Sequence, residues 1–219
     1  MQHTVEASLL RPLYLPVRLW LGVSLPALLL LLAGAVTVYA TGNNPPFQGL
    51  DNSVNAFLIT TRTPWLTNVN MVLNFVGNAG MVIYCVALVA VLAIKHRRLA
   101  LFVAGANLGA LALTHLIKFL VGRPRPLDRL VQVDSGSFPS GHVSATAAAM
   151  VSTAVVLGKL WMWISGAILT VAMMYSRMYL GAHWLSDTIA GALLGVGLTI
   201  LLWGLVQDKC LQRNVSAER

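Results

Sequence analysis

Residues 185–206 read LSDTIAGALLGVGLTILLWGLV, and Asp187 is the only charged residue among them. As an α-helix this run is about 33 Å long, enough to cross the hydrocarbon core of a bilayer. Other apolar runs of about 20 residues precede it along the chain. Runs of this length are typical of transmembrane helices and exceed those of most buried helices in soluble domains. The chain is therefore predicted to be an all-α, polytopic membrane protein.

The composition of the whole chain supports the same class. Of its 219 residues, 57% are hydrophobic and only 10% are charged, and the mean hydropathy is +0.74. A soluble domain carries about 25% charged residues. The formal net charge of +8 would suit a soluble nucleic-acid-binding protein. In a membrane protein, the Lys and Arg residues of cytoplasmic loops explain such a charge, so no nucleic-acid partner is expected.

Six transmembrane helices are predicted, and we expect residues 1–219 to form a single domain. The first span follows two arginines and could be a cleaved signal peptide, but its full length favours an uncleaved helix. Between the first two spans, apolar residues recur at helical spacing over Leu50–Thr61. This segment is either a short amphipathic helix at the membrane surface or a packed loop. The predicted spans are Val17–Ala40, Asn70–Ile94, Leu99–Val121, Val143–Leu157, Trp161–Tyr179 and Leu185–Val206.

The distribution of basic residues predicts the orientation of these spans. With both termini in the cytoplasm, nine of the 15 Lys and Arg residues lie on the inner side, as the positive-inside rule requires. Five of the six outer residues lie in or between three short blocks of sequence, so they are the exceptions of interest. The inner residues are Arg11, Arg18, Lys95, Arg97, Arg98, Lys159, Lys209, Arg213 and Arg219, and the outer ones are Arg62, Lys118, Arg123, Arg125, Arg129 and Arg177.

The three blocks are Lys118–Pro126 (KFLVGRPRP), Phe138–His142 (FPSGH) and Ser176–Asp187 (SRMYLGAHWLSD). With six spans, the loop between the third and fourth spans and the loop between the fifth and sixth lie on the same side of the membrane. The blocks can therefore converge at the outer surface. We expect a functional site there.

His183 and Asp187 are four residues apart, so on a helix they share one face. A carboxylate in that position can accept a hydrogen bond from one ring nitrogen, which leaves the other nitrogen free as a nucleophile. Ser140 and Gly141, at the start of the fourth span, suit an anion site made of free backbone N–H groups. His142 opens the same span, and as an imidazolium it could protonate a leaving oxygen.

Lys118, Arg125 and Arg177 supply positive charge of the kind that stabilises a transferring phosphoryl group. Acidic residues, by contrast, are scarce, and metal-dependent phosphatases need clusters of oxygen or histidine ligands. We therefore expect no metal ion, and we disfavour a metal role for Asp128 and Asp134.

Together the blocks resemble the three-part signature of the type 2 phosphatidic acid phosphatase family in residue type, order and spacing. The resemblance covers Lys118 to Asp187. It implies that His183 forms a phosphohistidine oriented by Asp187, and that His142 protonates the leaving group. It further implies that the phosphate is held by Lys118, Arg125, Ser140, Gly141 and Arg177. Arg123 also precedes a proline, and we expect it to add charge or to contact a lipid headgroup.

The function implied is hydrolysis of a lipid phosphate or diphosphate at the outer leaflet, with the bilayer as the environment. Undecaprenyl diphosphate, phosphatidylglycerol phosphate and phosphatidic acid are the candidates, and the first is favoured because the predicted site faces outward and the chain is small. Transfer of the phosphoryl group to another lipid remains an alternative. An anion channel or transporter is disfavoured, because apart from Asn74 and Asn107 the span centres are apolar. The resemblance and the compact chain suggest a bacterial inner membrane.

Overall fold

A computed structural model describes residues 10–133 and 135–211. Asp134, Arg213 and Arg219, used in the sequence arguments above, lie outside these ranges. The described residues are helical and contain no β-strand. The α-helices are α1 (Val17–Ala40), α2 (Gln48–Thr60), α3 (Pro64–Phe75), α4 (Met81–Lys95), α5 (Arg97–Val121), α6 (Gly141–Leu157), α7 (Leu160–Tyr179) and α8 (Leu185–Leu211), and a π-helical turn (Val76–Gly80) joins α3 to α4.

The helices follow the predicted spans closely. The first span coincides with α1, and the second covers the end of α3, the π-helical turn and α4. The segment that was predicted as either an amphipathic helix or a packed loop is the helix α2. Within the described residues, four helical segments are long and apolar enough to cross a membrane: Val17–Ala40, Pro64–Lys95, Arg97–Val121 and Leu185–Leu211. The chain is an integral membrane protein, and the count of six spans stays a prediction that needs α6 and α7 as well.

Small residues allow α6 and α8 to pack closely at the centre of the bundle. A Cβ atom added at Gly191 would lie 2.6 Å from the carbonyl oxygen of Ser140, and one at Gly195 would lie 2.6 Å from that of Ser144. Helix α6 is rich in Ala, Ser and Thr, and most of its residues are buried. Such residues let helix backbones approach within a bilayer, where close packing rather than the hydrophobic effect drives association. The glycines of α8 therefore permit its close packing on α6.

The far end of the bundle is held by the segment before α1. The indole N–H of Trp203 donates to the Leu13 carbonyl at 2.8 Å, and the Gln207 side chain bonds both backbone groups of Leu15. Trp203 is fully buried, with its ring centroid 4.9 Å from that of Phe102. These contacts join the segment before α1 to α8, and α8 to α5, at this end of the bundle.

Candidate active site

The three sequence blocks meet in one cavity of about 660 Å³. They arrive on four helix ends, namely the C-termini of α5 and α7 and the N-termini of α6 and α8. The three blocks therefore converge in the structure, as predicted. Predicted site residues that line the cavity are Lys118, Arg125, Gly141, His142, Arg177 and His183.

His183 lies in the short loop between α7 and α8 and is only 3% exposed. Its Nε2 atom is 3.1 Å from a guanidinium nitrogen of Arg125. Because a guanidinium can only donate, Nε2 must be the acceptor and Nδ1 must carry the ring proton. Nδ1 faces Asp187, with 3.7 Å between it and Oδ2. The geometry thus selects the tautomer that leaves a lone pair on Nε2.

Asp187 does not make the predicted hydrogen bond to His183. At 3.7 Å, the separation of Nδ1 and Oδ2 is longer than a hydrogen bond, and Nδ1 has no other hydrogen-bond partner among the residues that the structure describes. The carboxylate is held instead by Arg123, which donates to Oδ1 at 2.7 Å, and by the backbone N–H of Trp184, which donates to Oδ2 at 2.9 Å. Catalytic hydrogen bonds are often long without substrate and tighten once it binds.

The charge state of His183 suits a nucleophile. Burial lowers the pKa of His183 well below its ordinary value, and the positive charges of Arg125, Lys118 and Arg177 lower it further. The imidazole is therefore neutral at pH 7, with its Nε2 lone pair available. Burial also lowers the pKa of Arg125, to about 10, so this residue remains a cation.

Backbone and side-chain carbonyl groups orient the three cations of the cavity. Lys118 donates to the carbonyl of Gly136 at 2.5 Å. Arg125 donates to the carbonyls of Ser135 (2.9 Å), Gly136 (3.0 Å) and Ala182, and Arg177 donates to the side-chain oxygen of Asn74. These acceptors are neutral, so the positive charges are not neutralised by them and remain available to an anion.

Ser140, Gly141 and His142 begin α6, as predicted. Ser140 occupies the N-cap position, but its side chain makes no capping hydrogen bond, and its buried hydroxyl has no partner within residues 10–133 and 135–211. The backbone N–H of Ser140 is already bonded to the Asp187 carbonyl at 2.9 Å, so it is not a free donor to an anion. Nε2 of His142 is likewise buried without a partner in the described part of the chain. Buried polar atoms of this kind are expected to be satisfied when a polar ligand binds.

Arg123 differs from its prediction. It is 1% exposed, and its guanidinium donates to Asp51 at 2.8 Å and to Asp187 at 2.7 Å. A side chain that is fully buried and bonded to two carboxylates is not placed to contact a lipid headgroup. Arg123 instead belongs to an internal ion-pair network behind the cavity.

Acidic and histidine side chains do not form a metal site in the part of the chain that the structure describes, where no group of three or more such potential ligands occurs. Asp128, considered above as a ligand, is paired with Arg62 at 2.8 Å. It also accepts from the Asn55 side chain at 3.0 Å. Asp128 therefore connects the loop that precedes α6 to α2 and to the turn between α2 and α3.

Comparison with known proteins assigns the family. The protein-family model described as the PAP2 superfamily matches residues 80–210, which are more than half of the chain. The chain belongs to the PAP2 superfamily. This confirms the resemblance drawn from the three blocks.

Two curated relatives and one solved structure extend this result. The undecaprenyl-diphosphatase of Sulfolobus acidocaldarius is 41% identical over 78 residues, which are 36% of this chain but only 34% of that protein. Phosphatidylglycerophosphatase B of Bacillus subtilis is 27% identical over 197 residues, covering 83% of this chain and 93% of that protein. The crystal structure of a transmembrane PAP2 type phosphatidylglycerolphosphate phosphatase from Bacillus subtilis aligns with a TM-score of 0.74 at 23% identity, over 85% of this chain and 96% of that one. The last comparison shows that the two share a fold.

The cavity of this PAP2 member continues away from the charged residues as an apolar groove between α4 and α5. Along α4 its lining extends to Ala90, and along α5 it extends to Ala104. From Gly77 to Ala90 the helical rise corresponds to about 20 Å. The polar groups midway are tied to each other, since the Cys85 thiol donates to the Asn107 side chain at 3.4 Å. One end of the cavity is therefore cationic and the rest is apolar.

Sequence reasoning missed the residues of α3 and the π-helical turn. A Cβ atom at Gly77 would lie 2.9 Å from the His142 ring and 2.6 Å from the Met173 side chain, so the π-helical turn packs directly behind His142. Asn74, one turn earlier, accepts from Arg177. The available signal was the polar and glycine-rich stretch Asn74–Gly80 within an otherwise apolar span, and π-helical turns often occur at functional sites.

Proposed function

We propose that this PAP2 member hydrolyses a phosphate or diphosphate group of a membrane lipid through a phosphohistidine on His183. The observation that carries the proposal is the position of His183 Nε2. It lies on the wall of a cavity that has three cations at one end and a long apolar groove at the other. A phosphorylated headgroup fits the first part and a lipid tail fits the second.

In the first step, Nε2 of His183 attacks phosphorus, and the bond from phosphorus to the lipid oxygen (or to the leaving phosphate) breaks. The new N–P bond leaves a positive ring, which the Asp187 carboxylate stabilises from the Nδ1 side. His142, protonated while the anionic substrate is bound, gives this proton to the leaving oxygen and becomes neutral. In the second step, water attacks phosphorus, the N–P bond breaks, and His142 takes a proton from the water. Inorganic phosphate is released and both histidines return to their starting states.

Lys118, Arg125 and Arg177 hold the phosphoryl oxygens in this proposal, together with Ser140 and Gly141. Negative charge is spread over the three equatorial oxygens while the phosphoryl group passes from the leaving oxygen to Nε2 of His183. Cations that are already oriented stabilise this charge with little reorganisation. Fixed side-chain charges thus supply the stabilisation that a divalent cation supplies in metal-dependent phosphatases. We therefore expect the reaction to need neither a metal ion nor another cofactor.

The names of the relatives support lipid phosphates as the substrate class, since one is an undecaprenyl-diphosphatase and another a phosphatidylglycerophosphatase. Undecaprenyl diphosphate, phosphatidylglycerol phosphate and phosphatidic acid are the substrates we propose to test. Undecaprenyl diphosphate is placed first because the proposed site faces outward. The apolar groove is about 20 Å long, so it supports a substrate whose lipid tail makes apolar contacts over that length.

The proposed topology has six spans, with both termini in the cytoplasm and the active site on the periplasmic or extracellular side of a bacterial inner membrane. The concentration of Lys and Arg at the other end of the bundle supports it. We also propose that the chain acts as a single phosphatase domain over residues 1–219. The packing of α1 on α8, where a Cβ atom at Gly197 would lie 3.1 Å from Ala27, supports a common core.

The test is release of inorganic phosphate by purified protein in detergent with excess chelator, offered the three lipids in parallel. We expect release that tolerates the chelator, that is lost in His183→Ala, and that persists in His96→Ala, a matched control at the opposite end of the bundle. Release abolished by the chelator would contradict the metal-free mechanism. A phosphorylated acceptor lipid in place of inorganic phosphate would show phosphoryl transfer, and anion flux without phosphatase activity would show a channel.

A further inference from the structure

Helix α2 contributes a buried carboxylate to the back of the active site. Asp51 is 2% exposed, and it and Leu58 are the residues of α2 that are buried. Its Oδ1 accepts from the backbone N–H of Ser186 at 3.0 Å, and its Oδ2 accepts from the Ser186 hydroxyl at 2.6 Å. Oδ2 also accepts from Arg123 at 2.8 Å. Asp51 lies outside residues 80–210, which match the superfamily, and outside the three sequence blocks.

Arg123 connects this carboxylate to Asp187. Two of its nitrogens bond different carboxylates, and the side chain of Arg123 has no exposed surface. The rings of Phe47 and Trp184 lie 5.8 and 5.7 Å from its guanidinium carbon. A planar guanidinium held by two carboxylates and two aromatic rings has little freedom to rotate. The orientation of Arg123 is therefore set jointly by α2 and by the start of α8.

This orientation determines which oxygen of Asp187 faces His183. Arg123 holds Oδ1 at 2.7 Å, and the backbone N–H of Trp184 holds Oδ2 at 2.9 Å, on the side toward Nδ1 of His183. If Arg123 moved, the carboxylate could turn, and the preference of His183 for a proton on Nδ1 would then depend on the Arg125 bond to Nε2 alone. A nucleophile with the proton on Nε2 has no lone pair there to attack phosphorus.

We propose that Asp51 and Arg123 are positioning residues for the reaction at His183: Asp51 holds Arg123, Arg123 holds the Asp187 carboxylate, and the carboxylate orients the imidazole. This proposal rests on the proposed function. It makes α2, which lies outside the sequence signature, part of the catalytic apparatus. The competing explanation is that the buried ion pair only attaches α2 to the bundle. That explanation is weaker, because the cost of desolvating two buried charges offsets much of the stability that their attraction contributes.

A double-mutant cycle separates the two explanations. Asp51→Asn keeps the shape of the side chain and removes its charge, and we expect kcat to fall about 10- to 100-fold with KM changed by less than about 2-fold. In the Asp187→Asn background the same substitution should cost less than about 3-fold, because Asp51 acts through Asp187. Equal losses in both backgrounds, or no loss in the wild-type background, would overturn the proposal.

Asp128→Asn is the matched control. Its ion pair with Arg62 has the same 2.8 Å separation, but Asp128 is 30% exposed and Arg62 is 17% exposed, and their further partners include the Asn55 side chain and the Tyr179 carbonyl. We expect kcat to change by less than about 2-fold, since partly exposed pairs contribute little. If Asp51→Asn does not fold, Ser186→Ala carries the same cycle with both charges retained, because it removes the hydroxyl that joins Asp51 to Arg123. We then expect a loss of several-fold that disappears in the Asp187→Asn background.

A second readout does not depend on turnover. Nitrogen NMR of protein labelled in its histidines, with the His183 signals assigned through His183→Ala, reports which ring nitrogen carries the proton. We expect the Nδ1–H form in the wild type and in Asp128→Asn, and a larger Nε2–H fraction in Asp51→Asn. An unchanged tautomer in Asp51→Asn would overturn the proposal. A wild-type chain that is inactive on every lipid would contradict the proposed function, and the tautomer would still decide whether Asp51 orients His183.

Discussion

Gly191 offers the sharpest packing test, because it lies where α8 crosses the start of α6. In Gly191→Ala the new methyl carbon would lie 2.6 Å from the Ser140 carbonyl oxygen and 3.1 Å from Cβ of Val143. An ordinary contact of 3.4 Å requires the helices to separate by about 0.8 Å at this point. Such overpacking typically costs about 1–3 kcal/mol. We therefore expect a lower thermal midpoint in detergent.

The same displacement should reduce catalysis, because Gly191 packs against Ser140, which we propose to hold the phosphoryl group. The Ser140 backbone N–H is bonded to the Asp187 carbonyl at 2.9 Å, so a shift of α8 against α6 changes the spacing of His142 and His183. Because a misplacement of about 1 Å can cost about 100-fold, we expect kcat on a lipid phosphate to fall by about 10- to 100-fold.

Gly105→Ala is the matched control. This glycine is inside α5, and a Cβ atom there would meet nothing within 4 Å. Alanine is favoured over glycine inside a helix by about 1 kcal/mol, so this variant should be as stable as the wild type or more stable, with unchanged kcat. Thermal unfolding and phosphate release of both variants give the measurement. Wild-type stability and activity in Gly191→Ala would refute the packing argument.

Two further predictions concern pH and the groove. Burial and nearby cations lower the pKa of His183 in the folded state, so protons bind more readily to this histidine in the unfolded state. The contribution of neutral His183 to stability is therefore complete above about pH 6.5 and is lost as the pH falls below that value. The thermal midpoint should therefore decline between pH 7 and pH 5 more steeply in the wild type than in His183→Gln, and equal slopes would contradict this. In Ala104→Trp, a bulky ring fills the apolar end of the groove, so KM for a long-chain lipid phosphate should rise by about 10-fold while a short-chain phosphate ester is unaffected. Leu101→Trp, at a position 73% exposed, is the control, and equal effects on both esters would count against the groove as the tail site.

The convergence of the three blocks could be predicted from sequence for a simple physical reason. Long apolar runs form helices in a bilayer, and helix parity then determines which loops share a surface. The blocks that contain Lys118, His142 and His183 lie at the ends of such runs, so their convergence could be predicted without knowing how the helices pack. Helical spacing also predicted that His183 and Asp187 lie close together, although His183 precedes α8 in the structure and its Nδ1 is 3.7 Å from Oδ2 of Asp187.

The roles of Asp51, Arg123 and Asn74 could not be predicted, because each depends on a contact between distant segments. Asp51 is the one carboxylate of an amphipathic segment whose pattern suggests a membrane surface, and it is buried by Ser186, 135 residues later. Arg123 has the sequence context of an exposed loop cation, yet it is enclosed by side chains from α2 and the start of α8. Local patterns carry little information about such long-range ion pairs.

Phosphorylation of His183 is the central claim, and trapping the phosphoenzyme tests it most directly. Wild-type protein and His183→Gln would be mixed with a lipid phosphate carrying ³²P in its phosphoryl group, quenched during the first turnover, and digested. We predict an acid-labile, alkali-stable label on the peptide that contains His183, and no label in His183→Gln. Phosphate release without a labelled protein, or a label that remains in His183→Gln, would contradict His183 as the nucleophile.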